Sequence, residues 1–183
     1  MTRAARPAVK IDVIVASNRW KHAEKATSLM RRAVSRAAAA TPSTNGSELA
    51  IVLTDDSAIR QLNRDWRGID AATNVLSFPA KNAGRKRNKH LNAGSKNLGG
   101  HLGDVVLAYE TIAREARAEG KPFVHHLAHL AVHGFLHLAG HDHESTREAA
   151  VMERAERDIL RQLAIPDPYR PPKQSRAKRS HKS

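Results

Sequence analysis

The chain is expected to adopt an α+β fold, a small mixed sheet of about four strands packed with about five helices. Two observations carry this. The segments that read as strands gather early in the chain and the helices late. Strands and helices also follow one another in mixed order with no internal repeat, which argues against a regular βαβ array.

Val9 to Ala16 places Val9, Ile11, Val13 and Val15 on alternate positions and reads as the first strand. Ser17 can cap a helix running to Ala40, along which Trp20, Ala23, Ala26, Met30, Val34 and Ala37 recur at helical spacing. A turn-rich link, Thr41 to Ser47, leads to a second strand at Glu48–Leu53. Thr54 or Asp55 then caps a helix expected to carry Ile59, Leu62 and Trp66 inward and to stop at Gly68. Asn74–Phe78 is a short strand ended by Pro79, and Leu102–Ala108 is another. Tyr109–Glu119 should be helical up to Gly120, and a further helix starts near Pro122 and reaches about Ala139. Ser145 with Glu148 is a capping-box signature for a last helix carrying Met152, Ala155, Ile159 and Leu163.

The net charge of +13 is concentrated in two places. Residues 81–96 hold six basic residues (Lys81, Arg85, Lys86, Arg87, Lys89, Lys96) and no acidic one, and residues 170–183 hold six more on the same terms. Setting those twelve aside leaves 19 basic residues against 18 acidic, so the rest of the chain is nearly neutral. The expected layout is one domain over 1–169, with a flexible basic loop at 81–100, followed by a disordered basic tail at 170–183. Such patches favour a polyanion through counterion release, without reading its sequence, and otherwise serve as solubilising loops. There is no cysteine, which excludes disulfides and thiolate zinc sites. No run of about 18 apolar residues is present to span a bilayer. A cytoplasmic location and no membrane partner are expected.

Seven of the eleven histidines lie between residues 125 and 143. On a helix, His126, His129, His133 and His137 fall within about an 80° arc of an otherwise apolar cylinder. Stacked buried imidazoles need partners for their ring nitrogens. His133 and His137, four apart, project from one face one turn above the other. Gly140 suits a left-handed helix end that turns the chain back to present a third imidazole, from His141 or His143. Three neutral imidazoles with a fourth position open is how catalytic zinc is held, so one Zn2+ is the expected cofactor. His143 is preferred on spacing, because the H-x3-H-x5-H pattern with its central glycine is similar to that of metzincin proteases. Position 134, where those proteases carry their general base, is Gly134. His125, His126 and His129 are expected in structural, ligand-supporting or surface roles, and Asp142 as a ligand support or turn cap.

Three ordered blocks resemble the YbeY family of bacterial ribosomal-RNA maturation endoribonucleases. They are Arg67-Gly68-Ile69-Asp70 with Thr73-Asn74-Val75-Leu76-Ser77-Phe78-Pro79, then Leu102-Gly103-Asp104-Val105-Val106, then the run His133 to His143. Asp167-Pro168-Tyr169 also fits. The resemblance implies an α+β metal-hydrolase fold with zinc on His133, His137 and His143. It also implies an arginine near the metal, which falls on Arg67, and a role in processing 16S rRNA ends and in ribosome quality control. The long basic segment before residue 100 and the basic tail depart from the family pattern.

The expected function is therefore a zinc-dependent endoribonuclease that prefers single strands and acts in 16S rRNA 3′-end maturation. Its expected partners are RNA, ribosomal subunits, and ribosomal proteins or an assembly GTPase; no DNA is expected. Arg67 is the expected catalytic cation, since a guanidinium suits bidentate contact with a phosphate. No general base is assigned. Zinc-bound hydroxide, His141 and the RNA 2′-hydroxyl all stay open. Two other readings remain, an RNA-binding ribosome-assembly factor with a structural zinc and a metalloprotease.

Overall fold

The computed structural model describes residues 9–80, 100–141 and 145–170. The expected basic loop and tail fall almost wholly outside them, as do Asp142 and His143. Four strands form one mixed sheet: β1 (Lys10–Val15), β2 (Glu48–Thr54), β3 (Val75–Pro79) and β4 (His101–Ala108). Their spatial order is β1-β2-β4-β3, with β1, β2 and β4 parallel and β3 antiparallel to β4. Five α-helices accompany it: α1 (Glu24–Ala40), α2 (Asp56–Arg67), α3 (Tyr109–Ala118), α4 (Phe123–Leu138) and α5 (Thr146–Arg161).

The period-two pattern of the strands sorts the core into two layers. Leu49, Ile51 and Leu53 of β2 and Val105 and Leu107 of β4 point to one face, where they meet α1 and α4. Val106 and Ala108 point to the other face and join Leu76 of β3 and Ile59 of α2. Helix α4 is apolar almost all round and sits between α1, α3, α5 and the sheet, as a helix without a solvent face must. Its histidine stripe is thus held by a rigid, central element.

Two expectations shift. The helix after β1 begins later than its cap signal suggests. Ser17 caps a single 3-10 turn at Asn18–Trp20, and α1 starts at Glu24. Trp20 ends the turn by burying its ring and donating its Nε1–H to the Thr54 carbonyl at 2.8 Å, a tertiary contact that local periodicity does not register. Leu163 lies past the end of α5, where Ala164 takes a left-handed φ of 56°.

Asp55 caps α2, accepting from the Ala58 N–H at 3.0 Å. That backbone hydrogen bond holds the Asp55 carboxyl below its ordinary range. Replacing it by alanine should cost about 1 kcal/mol of stability at neutral pH. A depressed carboxylate stabilises the fold above its unfolded pKa, near 4, and loses that contribution as pH falls through the folded value beneath it. Urea unfolding of Asp55→Ala and wild type should therefore converge as pH drops from 7 towards 3. A difference that persists at low pH would contradict this role.

Candidate metal centre

His133 and His137 sit one turn apart in the second half of α4, and their rings meet nearly edge to face with centroids 4.7 Å apart. Their Nε2 atoms approach to 3.2 Å. Two unprotonated nitrogens at that distance repel unless a proton or a cation lies between them. Two nitrogens bound at about 2.0–2.1 Å to one tetrahedral ion stand roughly 3.3–3.4 Å apart. The pair is therefore pre-spaced for a shared ion.

Which ring nitrogen of His133 faces His137 is set from behind. His133 Nδ1 lies 2.8 Å from Glu156 Oε1, and His129 Nε2 lies 2.9 Å from Glu156 Oε2. Tyr169 donates its hydroxyl to the same Oε2. Glu156, on α5, is 0% exposed. Burial by itself would raise its pKa, but hydrogen bonds from His129 and His133 outweigh burial and hold it down at about 2. The carboxylate is thus ionised and can only accept, so His133 carries its proton on Nδ1 and turns the lone pair of Nε2 towards His137. A carboxylate behind a histidine ligand is the usual way such a ring is oriented and made more basic.

The turn after α4 completes this side of the site. Gly140 takes φ of +92°, and the His141 N–H bonds the Leu136 carbonyl while the Gly140 N–H bonds the His137 carbonyl. This pairing is a Schellman helix end, which reverses the chain. His141 is thereby returned to line the same cleft as His133 and His137. His143 lies outside the described residues. Among those described, no three histidine, aspartate or glutamate side chains converge at metal-binding distance. The two nitrogens of His133 and His137 and the carboxylate behind them nevertheless fit zinc by donor type, spacing and tautomer.

The cleft itself has a volume of about 570 Å³, and its opposite wall is β3 with the end of α2. Asn74 is fixed there from two sides: its Nδ2 donates to Glu115 at 2.9 Å, and its Oδ1 accepts from the Val75 N–H. Glu115 in turn accepts from His126 Nε2 at 2.9 Å, tying this wall to α4. Ser77 donates to the Gly134 carbonyl at 3.2 Å. Arg67, the last residue of α2, is exposed at the rim, and its guanidinium makes no ion pair or hydrogen bond with other described residues. Gly68 follows with φ of 71° and closes the helix, so the guanidinium is delivered to the cleft by a fixed helix end. The structure thus brings Arg67, His133, His137 and His141 to one cleft.

Gly134 explains the absent protease-type base. It faces the sheet, where a Cβ would lie 2.7 Å from Val105 Cγ1 and 3.1 Å from Ser77 Oγ. No side chain fits there, so position 134 contributes close packing of α4 on β4.

Glu156 and Tyr169 were not among the expected site residues. A signal for Glu156 was present: it lies four residues after Met152 and three before Ile159, a lone carboxylate on the apolar stripe of α5, and a buried charge demands partners. Tyr169 carries no comparable mark, because its partner comes from a different element.

The sequence model of one protein family, Endoribonuclease YbeY, matches residues 14–164. Among curated relatives, the Endoribonuclease YbeY of Rhodopseudomonas palustris (strain BisB5) is 48% identical over 170 residues, covering 92% of this chain and 85% of that protein. Its counterpart from Rhodopseudomonas palustris (strain ATCC BAA-98 / CGA009) is 50% identical over 170 residues, covering 92% and 84%. A solution structure of a protein from Thermotoga maritima superposes with a TM-score of 0.49 at 20% identity, covering 90% of this chain and 99% of that one.

Proposed function

The chain belongs to the Endoribonuclease YbeY family, and on that footing we propose that it is a zinc-dependent endoribonuclease that prefers single strands. We place its work in 16S rRNA 3′-end maturation and ribosome quality control, with ribosomal subunits, ribosomal proteins or an assembly GTPase as partners. The observation that carries the reading is the pair of converging Nε2 atoms of His133 and His137, backed by the ionised Glu156, in the cleft that also holds Arg67. The metal ligands in this reading are His133, His137 and His143.

Zinc on three imidazoles supplies Lewis acidity towards a phosphoryl oxygen and lowers the pKa of a bound water to about 7. The chain's own residues do the rest. Arg67 reaches the cleft from a helix end and suits two parallel contacts to phosphate oxygens, holding the scissile group and neutralising the charge that builds on it. Asn74 and Ser77 shape the opposite wall and are themselves held by Glu115 and the Gly134 carbonyl. His141 is the described side chain at the cleft with a titratable nitrogen suited to proton transfer, besides the two proposed ligands. Position 134 has no room for a base, which disfavours the peptidase alternative. No helix among the described residues is long and apolar enough to cross a membrane.

Arg67 gives the direct test. Arg67→Ala should lower kcat for cleavage of a single-stranded RNA by roughly 100- to 1,000-fold, the usual loss when one charge-stabilising donor is removed. Arg67→Lys should recover only part of it, since an ammonium cannot make the bidentate contact. Cleavage assays with equal folding of the variants check this. Full activity in Arg67→Ala would remove the arginine from the reaction. RNA binding without any cleavage by the wild-type protein would favour the assembly-factor reading instead.

A further inference from the structure

Beside Arg67 the chain places a large aromatic ring in solvent. Trp66 is 68% exposed, although it lies two helical turns from the buried Ile59 on the same face of α2. The ring meets Phe78 of β3 at 5.6 Å in an edge arrangement of 61°. Phe78 lies between Ser77 and Pro79, both of which line the cleft. Ile69, just past the helix end, is also exposed. Arg60 pairs with Asp70 through two bonds of 2.8 Å and so braces the turn that follows the ring. Trp66 is thus an exposed aromatic ring one residue before Arg67, which lines the cleft, and it rests against Phe78 of the strand that forms the cleft wall.

An exposed tryptophan costs free energy in water and has an apolar body that calls for a partner. A nucleobase offers a flat face of the right kind, and its phosphate suits the neighbouring arginine. Bases inside a duplex are stacked on one another and present no free face, whereas an unpaired base does. We propose that Trp66 is the stacking platform for one unpaired nucleobase next to the phosphate held by Arg67, so that it contributes both RNA affinity and the preference for single strands. This rests on the endoribonuclease reading and names the residue that selects its substrate form.

The test uses the full chain and a non-cleavable 2′-O-methyl single-stranded oligonucleotide, beside the same oligonucleotide carrying one abasic nucleotide at successive positions. The chain has two tryptophans, and Trp20 is 3% exposed. Quenching of fluorescence on binding should therefore report Trp66. Wild type should lose roughly 5- to 150-fold in affinity when the abasic position coincides with the platform. Trp66→Leu should lose a similar factor for the intact oligonucleotide, show a flat abasic scan and no quenching, and raise KM far more than it lowers kcat on cleavable RNA. Trp66→Phe should retain most of the affinity.

The proposal is overturned if Trp66→Leu binds as wild type does, or if its abasic scan keeps the wild-type profile. The latter would give the ring to packing or to a protein partner. Absence of RNA binding and cleavage in wild type would sink the endoribonuclease reading itself. A wild type that cleaves normally but shows a flat abasic scan would sink only the platform.

Discussion

Glu156→Gln should weaken zinc binding by roughly 10- to 100-fold while leaving the chain folded, the usual loss when a ligand's carboxylate support is removed. The reason lies in the donors that converge on one carboxylate. His133 Nδ1, His129 Nε2 and the Tyr169 hydroxyl all reach Glu156, which accepts with both oxygens. Glutamine keeps one accepting oxygen but turns the other position into an N–H donor that faces an N–H. With the amide nitrogen on the His133 side, that ring must give up its Nδ1 proton or its position; with it on the other side, it opposes His129 and the Tyr169 hydroxyl, and in both cases the ring loses its ionised acceptor. The metal-free variant should also lose about 1–3 kcal/mol, the cost of a buried donor left unsatisfied. Competition with a zinc chelator and thermal unfolding of metal-free protein read the two effects separately. Wild-type affinity in Glu156→Gln would mean that the ring is oriented by something else.

Gly134→Glu, which would recreate the protease-type sequence, is expected to unfold the protein and not to supply a base. The new Cβ would lie 2.7 and 3.2 Å from the two methyl groups of Val105 and 3.1 Å from Ser77 Oγ. Gly134→Ala alone should cost about 1–3 kcal/mol through overpacking. The glutamate adds a carboxylate buried against the sheet with no partner provided, a further several kcal/mol. Because Ser77 donates to the Gly134 carbonyl, the damage should spread to β3 and to the cleft wall. Circular dichroism and denaturant titration of the two variants give the ordering. A Gly134→Glu protein with wild-type stability would show that α4 can move away from β4.

Much of this was legible because the relevant physics is local. Alternation along β2 and β4 sorted their side chains between the two faces, and Ser145 forms a full capping box with Glu148 at the start of α5. Gly140 marks the helix end because only a left-handed residue makes that turn cheaply. His133 and His137 declare themselves by spacing on one helix. The misses are tertiary. Trp66 has the spacing of an inward residue, but spacing gives a direction on the helix and not what lies beneath it, and at the end of α2 the ring stays exposed against the edge of Phe78. Tyr169 reaches Glu156, and Glu115 joins Asn74 to His126, through contacts between different elements that no local pattern registers.

The central claim is that one metal ion held through His133 and His137 is required for RNA cleavage. Its most direct test is metal content and cleavage measured together, for wild type, His133→Ala and His137→Ala, before chelation, after it, and after zinc is returned. Wild type should carry about one zinc per chain, lose cleavage of single-stranded RNA with the metal, and regain it on zinc addition. Each variant should fold and bind RNA, yet neither hold zinc tightly nor cleave. Cleavage that persists in a folded, metal-free wild-type chain or in either metal-free variant would contradict the account.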